Sequence, residues 1–584
     1  MPSDKTVKFS PAKVVGTPTL TLSPSLPTGL YFDQVTGKIF GSCTSTFPKT
    51  TYTLTASGSG YASTTIPFTL EIKEPQISFE SFLKSRNAFQ NNQMGSQISV
   101  DGNTAAVSLV DQSNTFGIFK ADQAPFASLP INQTNLGGVW IFSRQNNTWV
   151  EDSFLKLPSS AFLGTLPNTS FAQKISLSND TLAVSVSRIE YSLLVDPDIA
   201  SSLFKTNSPK TTRSTIFLYR KTNGTWNLEE TIQSPFTLLD DAFGAALKLQ
   251  GDTLAVGAPL DPSGISSLVD GKGNMFSFDV AEPMSGAVYI YKRRNSRWFL
   301  QTKIKALNAK KFHQFGSEVD LFGSTLVVSA PGEASGSTRT LSGNISFANN
   351  LVNAGAVYVY NEVQTSWILT NYLKSPNYEF SSDRIWYTSF GDHISIFGNT
   401  IAVGSSTEKN SALIQRRRLR VLPPDPLENR GRIYIFKDRY NLSMTEFSLV
   451  QTLATTGSKG YENPTLEGSV LVASGLQIPV DFSQNSTYSQ YTNCTLTPVG
   501  TDPNIIEGLY LLTSDTNTYK PKTNIIPSNF QTNVLNNSQL GSSGNTIALG
   551  TPMQSSSLRS NLNSAPLPCD LGRTNSGAVY LFRW

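Results

Sequence analysis

The repeated unit of this chain is clearest in Phe243-Gly244, Gly251-Asp252-Thr253, Leu254-Ala255-Val256-Gly257-Ala258-Pro259 and Gly286-Ala287-Val288-Tyr289-Ile290-Tyr291. Apolar stretches on both sides of Gly251 predict two strands joined by a tight turn, because glycine supplies the positive φ that such a turn needs. The last segment is rich in β-branched and aromatic residues and predicts a third strand. The unit is therefore expected to be a small antiparallel sheet.

Seven such units follow one another between Met94 and Trp584. They start at Met94-Gly95, Phe171, Phe243-Gly244, Phe315-Gly316, Phe390-Gly391, Tyr461 and Leu540-Gly541, and their third strands are expected at residues 138–142, 215–219, 286–291, 355–360, 431–436, 508–512 and 577–582. One unit of this size cannot bury both faces of its sheet, so tandem units must stack on their neighbours. The predicted fold class is all-β, with a seven-bladed β-propeller as the main domain.

A tryptophan after a polar turn follows the third strand in several units, at Trp149, Trp226, Trp298 and Trp367. It introduces an outer, fourth strand, such as residues 152–157 or 371–375, which completes a propeller blade. The last unit reaches Trp584 without such a strand, and residues 77–85 resemble the outer strands of the other units. We therefore expect this N-terminal segment to complete the seventh blade and to close the ring.

The first 75 residues do not share the repeat. Alternating residues predict strands at 52–56 and 68–72, and a tight turn is predicted at 33–37. The motifs Leu26-Pro27-Thr28-Gly29-Leu30 and Thr36-Gly37-Lys38-Ile39-Phe40-Gly41 resemble the Ig-like family of bacterial surface proteins, whose members act as spacers or stalks; Cys43 stands where that family usually has proline. We expect an Ig-like β-sandwich at residues 1–75, a boundary near residues 73–76, and the propeller at residues 76–584.

The propeller units resemble the FG-GAP repeats of the integrin α-subunit, in the form common in bacteria. Phe243-Gly244, Phe315-Gly316 and Phe390-Gly391 carry the first half of the motif, and Gly257-Ala258-Pro259 carries the second. The resemblance covers the whole predicted propeller. It implies a rigid platform whose loops carry the function.

Calcium binding is not carried over from that family. Integrin-type repeats bind calcium in an Asp-rich loop of the first hairpin, and such a site needs about six to eight oxygen ligands. A turn of the Gly251-Asp252-Thr253 type cannot supply them, so we expect no metal and no cofactor. Asp196 with Asp198, or Asp261 with Asp270, could bind an ion in a loop, but solvated loop acids are the favoured interpretation.

The two faces of the propeller are expected to differ. In a four-stranded antiparallel blade, the connections between strands two and three lie on the same face as the links between blades. These connections are all long, at residues 108–136, 186–214, 260–284, 332–353, 405–429, 475–506 and 553–575. The hairpin turns on the other face are short. Because loops of this length are unusual unless they are functional, we expect the binding surface on the face that carries them.

Catalytic motifs are scarce. The two histidines, His313 and His393, lie beside Phe-Gly blade starts, where a structural or solvated side chain is expected. The sequence contains no Gly-X-Ser-X-Gly elbow, zinc-ligand spacing or phosphate loop. We predict no catalytic residue, although a carboxylate pair across the channel stays open, because a sequence does not show which blades' residues converge.

The net charge of +4 is too small to imply binding to nucleic acid or to an acidic membrane, and we expect neither nucleic acid as a partner nor membrane insertion. No apolar run reaches the roughly 18 residues of a membrane helix, and the first residues lack the apolar core of a signal peptide. The composition favours a chain whose leader has been removed over a cytosolic one. The one dense charge run, Arg416, Arg417, Arg418 and Arg420, lies in the long connection of the fifth blade and could bind an anionic glycan or an acidic protein; a solvated loop is the alternative.

The three cysteines, Cys43, Cys494 and Cys569, do not form a disulfide framework. Cys494 and Cys569 fall in corresponding connections of adjacent units, so a disulfide between them is one interpretation. Two unrelated thiols are the other.

These features favour a bacterial cell-surface or secreted binding protein, an adhesin that recognises a protein or glycan on a host or neighbouring cell. The periplasm is an alternative location. Two other function classes stay open: a carbohydrate-active enzyme, lyase or glycosidase, at the channel mouth, and a scaffold subunit of an envelope complex. An enzyme requires a deep acidic pocket, an adhesin an open loop face, and a scaffold an apolar patch on the propeller's side.

Overall fold

The structure is a computed structural model of the 584-residue chain. It describes residues 19–27, 30–32, 39–41, 47–58, 61–72, 78–86, 91–110, 116–123, 137–159, 170–187, 214–235, 241–263, 282–335, 354–376, 390–406, 431–438, 447–454, 461–468, 470–479, 505–514, 518–525, 539–551 and 576–583. These ranges are almost wholly β-structure, with a short 3₁₀ helix at Ala121–Gln123. Within them, no helix has the length and apolar character needed to cross a membrane.

Among its described residues, the N-terminal region has five short to medium strands: β1 (Thr19–Ser23), β2 (Leu30–Phe32), β3 (Ile39–Gly41), β4 (Phe47–Gly58) and β5 (Tyr61–Ile72). One sheet has the order β1-β4-β5 and the other pairs β2 with β3. Tyr52 on β4 is fully buried and stacks on Phe68 of β5, with ring centroids 5.6 Å apart. The strands predicted at residues 52–56 and 68–72 are confirmed, whereas the turn at 33–37 and Cys43 lie outside the described residues.

Seven sheets follow, and each has the strand order one, two, three, four of a propeller blade. From the inside outward, the strands of the first three blades are, in blade 1, β7 (Ile98–Asp101), β8 (Thr104–Leu109), β10 (Gly138–Gln145) and β11 (Thr148–Leu155); in blade 2, β12 (Ser170–Ser178), β13 (Thr181–Ser187), β14 (Thr215–Thr222) and β15 (Thr225–Gln233); and in blade 3, β16 (Ala246–Gln250), β17 (Thr253–Ala258), β18 (Ala287–Arg294) and β19 (Arg297–Ile304). The next two blades have, in blade 4, β20 (Val319–Phe322), β21 (Thr325–Ala330), β22 (Ala356–Val363) and β23 (Ser366–Leu373), and in blade 5, β24 (His393–Phe397), β25 (Thr400–Ser405), β26 (Arg432–Asp438) and β27 (Phe447–Ala454). The last two have, in blade 6, β28 (Tyr461–Glu467), β29 (Val470–Pro479), β30 (Ile505–Ser514) and β31 (Tyr519–Ile525), and in blade 7, β32 (Gln539–Ser543), β33 (Thr546–Thr551), β34 (Ala578–Arg583) and β6 (Ser78–Leu83). The all-β fold class is confirmed.

The outer strands begin earlier than the sequence predicted. Trp149 and Trp367 lie inside their strands, β11 and β23, instead of preceding them. After each tryptophan, the pairing with the third strand shifts its register by one residue at a β-bulge. Such a bulge adds one residue and bends the strand, so the two predicted parts, the tryptophan turn and the outer strand, are one continuous element.

The seven sheets contact one another in a cycle. The innermost strands β7, β12, β16, β20, β24, β28 and β32 each contact the next, and β32 contacts β7. The hydrophobic core lies between the sheets: one cluster, for example, combines Val288 of blade 3 with Phe315, Leu326 and Tyr358 of blade 4. Each blade therefore buries its faces against two neighbours, as tandem units of this size must.

The predicted closing strand is confirmed. β6 is the fourth strand of blade 7 and pairs antiparallel with β34, with Leu83 opposite Val579 and Ser78 opposite Arg583. Phe82 on β6 is fully buried against Tyr580, with ring centroids 5.1 Å apart. A strand from the N-terminal side of the propeller thus completes the last blade.

The innermost strands are also joined by hydrogen bonds between a side-chain oxygen of one blade and a backbone N–H of the next. Between blades 1 and 2, the Leu177 N–H donates to Ser99 Oγ at 2.9 Å. Equivalent bonds run from the N–H groups of Leu249, Ile396, Leu466, Gly544 and Gly102 to the side chains of Ser176, Asp320, Ser395, Glu467 and Ser543. Between blades 3 and 4, Lys248 Nζ lies 2.7 Å from Asp320 Oδ1. These bonds link the ring at its inner edge.

The glycines of the repeated motif lie where neighbouring blades touch. Gly355, just before β22, has a φ of +74°, and a Cβ built there would lie 2.2 Å from Phe390 O. Gly286 before β18 is related to Phe315 in the same way, at 2.1 Å. Both pairs form parallel β-bridges between blades. The glycine of one unit and the Phe-Gly start of the next are therefore the two sides of one contact, which explains why both recur in the sequence.

Replacing Gly355 by alanine is expected to destabilise the propeller more than the same change at Gly323. Gly323 also has a positive φ, +61°, but a Cβ there meets nothing within 4 Å. The left-handed backbone alone costs about 1–2 kcal/mol with alanine, and at Gly355 the clash with Phe390 O adds to it. The midpoint of urea unfolding, followed by tryptophan fluorescence, measures both effects. Equal shifts for the two variants would contradict this account of the blade contact.

Blade 1 has a fifth strand that the sequence did not predict. β9 (Ile118–Lys120) belongs to the long connection between β8 and β10 and pairs antiparallel with β11. Phe119 packs against the core between blades 7 and 1, and Ile118 against the core between blades 1 and 2. Part of one long connection therefore covers the outer edge of its own blade, which shields the edge strand from pairing with another chain.

Candidate binding face

The antiparallel strand order places the long connections on one face of the ring. Because neighbouring strands alternate in direction from one to four in each blade, the connections between strands two and three emerge on the same side as the links between blades; we call this side the loop face. Most residues of these connections lie outside the described ranges. The ends of the connections in blades 3 and 4, which we call the stems, are described at residues 259–263, 282–286, 331–335 and 354–355.

Asp261 is the centre of a buried polar cluster in the stem of blade 3. Its Oδ2 lies 3.0 Å from Lys303 Nζ, and its Oδ1 lies 3.3 Å from Lys305 Nζ. The Tyr289 hydroxyl donates to Oδ2 at 2.8 Å, and the Ser263 N–H donates to Oδ1 at 3.0 Å. Lys303 is on the outer strand β19 and Lys305 follows it, so the cluster ties the start of the long connection to the outermost strand.

Backbone hydrogen bonds join the two ends of the same connection. The Gly286 N–H donates to Asp261 O at 2.9 Å, and the Glu282 N–H donates to Pro262 O at 3.0 Å. The Leu260 N–H donates to Asp241 O, in the link from blade 2, at 3.2 Å. The chain therefore leaves and re-enters blade 3 at fixed, adjacent points.

The charge state of the cluster follows from its surroundings. Burial alone would raise the pKa of Asp261, but the charges of Lys305 and Lys303 and the hydrogen bond from Ser263 outweigh it, and the pKa of Asp261 lies well below its usual range. Burial, reinforced by the Asp261 charge, raises the pKa of Tyr289, which keeps its proton as a donor. The expectation that Asp261 is a solvated loop acid is wrong, because it is fully buried and ion-paired. Asp196, Asp198 and Asp270 lie outside the described residues.

Glu333 holds the corresponding position in the stem of blade 4. Its Oε2 lies 2.5 Å from Lys374 Nζ. Asn308 Nδ2 donates to Oε1 at 2.8 Å, and the Tyr358 hydroxyl donates to Asn308 Oδ1 at 2.6 Å. The Ser335 N–H donates to Oε1 at 3.0 Å. All five side chains are buried, and the Gly355 N–H donates to Glu333 O at 2.9 Å, so this connection is also closed at its base.

The two histidines lie at blade starts, where the sequence predicted structural or solvated side chains. His313, in the link from blade 3 to blade 4, is 2% exposed, and burial lowers its pKa. Among the described residues its Nδ1 has no hydrogen-bond partner. His393 begins the inner strand β24 and is half-buried. Both are structural parts of the blades, which agrees with the expectation.

The two buried clusters hold the stems in place and do not form a contact surface for a ligand. Asp261 and Glu333 have no exposed surface, so a molecule in solution does not reach them. A buried ion pair is costly to break, because removing one partner leaves an uncompensated buried charge. The clusters therefore fix the stems, so that the long connections of blades 3 and 4 start and end on a rigid base.

The lysines of these clusters were missed as functional residues in the sequence. The signal was present: a lysine follows an apolar residue at the end of the outer strand in four blades, at Lys84, Lys156, Lys305 and Lys374. All four are buried. Lys84 Nζ donates to Ser576 Oγ at 2.6 Å at the base of the blade 7 connection. A lysine in a strand is ordinarily solvent-exposed, and the sequence alone does not show the carboxylates or hydroxyls that meet it.

An enzyme at the channel mouth would need carboxylates on the inner strands. Three of the carboxylates on these strands instead accept hydrogen bonds from the next blade. Asp101 accepts the Asn179 N–H, Asp320 accepts the Ile396 N–H, and Glu467 accepts the Gly544 N–H. Lys174 of blade 2 and Glu318 of blade 4 form an ion pair at 3.2 Å. Over the described part of the chain, no group of three or more His, Cys, Asp or Glu side chains is placed to hold a metal ion.

The residues predicted from the sequence to bind a partner, Arg416, Arg417, Arg418 and Arg420, lie outside the described residues, and so do Cys494 and Cys569 of the predicted disulfide. They stay predictions. In contrast, the turns on the opposite face are short, as expected: Gly251 and Asp252 alone separate Gln250 from Thr253, which pair across the hairpin.

Two parts of the chain match known families. The family described as Putative Ig domain matches residues 2–73, and the family described as FG-GAP repeat matches residues 298–360, from the outer strand of blade 3 to the third strand of blade 4. Both agree with the resemblances in the sequence.

No curated protein matches the chain. Among solved structures, a Pyrococcus horikoshii acylaminoacyl peptidase is similar over 81% of this chain and 51% of its own, with 8% identity and a TM-score of 0.35. The chain thus spans about half the length of that peptidase. A likeness this low carries no conclusion about activity.

Proposed function

Starting from an Ig-like domain joined to an FG-GAP propeller, we propose that this chain is a bacterial cell-surface or secreted adhesin whose loop face binds a protein or glycan on a host or neighbouring cell. Domains of these two kinds fit an extracellular protein of the binding class. Recognition would be non-covalent, through several long connections held on one rigid ring. The Ig-like domain would then serve as the spacer.

The observation that carries this proposal is the pair of buried clusters around Asp261 and Glu333. Both lie at the stems on the loop face, and both tie a long connection to the outer strand of its blade. On the opposite face the hairpins need only two-residue turns. When the bases of long, polar connections are already fixed, less conformational entropy is lost on binding. The two buried clusters therefore support binding on the loop face.

The enzyme alternative has less support. A lyase or glycosidase requires acidic groups that a sugar can reach, with a defined carboxylate separation. Among the described residues, the inner-strand carboxylates Asp101, Asp320 and Glu467 accept backbone hydrogen bonds from the next blade. In the stems, Asp261 and Glu333 are fully buried in ion pairs, and the partly exposed Glu282 is paired with Lys310 at 3.0 Å.

An array of glycans and extracellular host proteins, probed with the purified full chain, tests the proposal. We expect saturable binding that falls at least about tenfold, or ~1.4 kcal/mol, when residues 264–281 or the run Arg416 to Arg420 are replaced by Gly-Ser linkers. The matched control is Asp252→Ala on the opposite face, whose side chain is 70% exposed and which should leave binding unchanged.

Three results separate the alternatives. Binding lost in a linker variant but kept by Asp252→Ala supports recognition by the loop face. Binding that survives replacement of all the long connections would contradict it. No binding together with turnover of an arrayed glycan would favour the enzyme.

A scaffold subunit is the second candidate, favoured by one observation. Phe299 and Ile368 occupy equivalent positions on the outer strands β19 and β23 and are 52% and 49% exposed. Apolar side chains at the rim of neighbouring blades are candidates for protein contact. If the scaffold proposal is right, Phe299→Ser with Ile368→Ser should abolish a complex in pull-downs from the native envelope and leave array binding intact.

A further inference from the structure

The Glu333 cluster has a feature that the Asp261 cluster lacks: one carboxylate holds both a lysine and an asparagine side chain. Lys374 Nζ lies 2.5 Å from Oε2, and Asn308 Nδ2 donates to Oε1 at 2.8 Å. An amine and an amide bound to the two oxygens of one carboxylate are held next to each other. Asn308, Glu333 and Lys374 are 2%, 0% and 3% exposed, so water is excluded from the group.

From this juxtaposition we propose that Lys374 and Asn308 form an intramolecular amide cross-link, with Glu333 as the proton carrier. The Nζ–Cγ bond forms and the Cγ–Nδ2 bond breaks, with release of one ammonia. The bond would join the outer strand of blade 4, after β23, to the link between blades 3 and 4. It would lie directly under the stem of the blade 4 connection.

The cluster supplies each group that the reaction needs. Lys374 transfers one proton to Glu333 and becomes a neutral amine, which attacks Asn308 Cγ. The Tyr358 hydroxyl, 2.6 Å from Asn308 Oδ1, stabilises the negative charge that develops on that oxygen. Protons from the attacking nitrogen pass through Glu333 to Nδ2, which leaves as ammonia. Glu333 keeps one proton, so atoms and charge balance.

The surroundings favour the neutral amine. Burial lowers the pKa of Lys374, although the charge of Glu333 opposes this. Tyr358 and Tyr372 line the site, and burial, with the charge of Glu333, raises the pKa of both, so they stay protonated. His313 faces the pair as well, and burial lowers its pKa, so it adds no charge near neutral pH. A desolvated lysine amine is a good nucleophile, and its amide target is held in place.

Blade 3 provides the contrast within the same molecule. There, Asp261 is placed between two lysines and receives hydrogen bonds from hydroxyl and backbone groups. Asp261 corresponds to Glu333, but among the described residues the side chains that contact it include no asparagine or glutamine, so the lysines of blade 3 lack an amide to attack. The same stem position therefore holds a carboxylate with two lysines in blade 3 and a carboxylate with one lysine and one amide in blade 4.

Mass spectrometry of the intact, denatured full chain tests the proposal. We expect the wild-type chain to be lighter than its sequence by one ammonia. Trypsin should release residues 306–310 joined to residues 340–384, because a cross-linked Lys374 resists cleavage. Lys374→Arg, which keeps the positive charge, and Glu333→Gln, which cannot carry the proton, should both have the full mass. Lys305→Arg in blade 3 should keep the loss.

The intact mass of the wild-type chain tests the cross-link even if a variant fails to fold. A folded wild-type chain that keeps its full mass after days at physiological temperature would overturn the proposal. So would a loss of ammonia that maps to a single peptide, since cyclisation of an asparagine elsewhere also releases ammonia. A loss that persists in Lys374→Arg would overturn it as well.

Discussion

Replacing Asp261 by alanine is expected to lower the free energy of unfolding by about 3–5 kcal/mol, the range for breaking a buried ion pair from one side. The change leaves the ammonium groups of Lys303 and Lys305 buried without their carboxylate. It also removes the acceptor of the Tyr289 hydroxyl. Urea unfolding followed by tryptophan fluorescence, to which the buried Trp298 of the same blade contributes, measures the effect.

Two comparisons isolate the cause. Asp252→Ala removes a carboxylate that is 70% exposed and 3.5 Å from Arg293, and surface pairs contribute at most about 1 kcal/mol. Replacing Asp261, Lys303 and Lys305 together by leucine and methionine should recover much of the loss, because no unpaired charge remains. If Asp261→Ala is no more destabilising than Asp252→Ala, the cluster does not stabilise the stem.

The same variant should change the acid sensitivity of the protein. The folded-state pKa of Asp261 is lowered, so the unfolded chain binds more protons in the window between the two values. The contribution of Asp261 is therefore complete above an unfolded pKa of about 3.9 and is lost as the pH falls toward the folded value. Wild type should lose more stability than Asp261→Ala over that window, and parallel curves would contradict the assignment.

A chain that begins at residue 87 is expected to lose the cooperative fold of the propeller. It lacks β6, which buries Phe82 and Leu83 completely. It also lacks Glu80, which lies 2.7 Å from Arg144 of blade 1 and so joins blade 7 to blade 1. The loss leaves β34 as an open edge, and Phe82→Ala alone should cost about 3–5 kcal/mol. Near-ultraviolet circular dichroism and size-exclusion chromatography report the outcome.

The matched control begins at residue 73 and removes only the Ig-like region. It should keep the propeller's unfolding midpoint, which tests the proposed division of the chain at residues 73–76. Adding a synthetic peptide of residues 74–86 to the shorter chain should restore part of its ordered signal. Loss of structure in both truncations would show that the Ig-like region is needed for the ring, against the two-domain proposal.

Much of this architecture could be predicted because it is encoded locally and repeated. Gly251-Asp252-Thr253 and its equivalents mark two-residue turns, and the Gly of Gly286 to Tyr291 marks a blade contact at a positive φ. Each signal is weak alone, but repetition at one spacing makes it specific. Ring closure could be predicted because residues 77–85 match the outer strands of the other units, and β6 does pair with β34.

The candidate site could be predicted only in part, because it is formed by residues far apart in the chain. Asp261 meets Lys303 and Lys305 only once β19 lies beside β18. In the sequence it is one acid at the start of a polar loop, and such acids are usually solvated. Likewise, nothing in Ile118-Phe119-Lys120 distinguishes a fifth strand from a loop; pairing with β11 decides it. The face that carries the long connections could be predicted, because the alternating direction of the strands in a blade follows from their order alone.

The position of β6 has a mechanical consequence. Residues 73–77 join β5, the last strand of the Ig-like region, directly to β6, the closing strand of the ring. If the N-terminal domain is tethered and the proposed partner is bound on the loop face, a pulling force between them enters the propeller at Ser78, opposite Arg583. Force on such a tether therefore loads the strand that closes the ring, while residues 84–97 keep the tether covalently joined to blade 1.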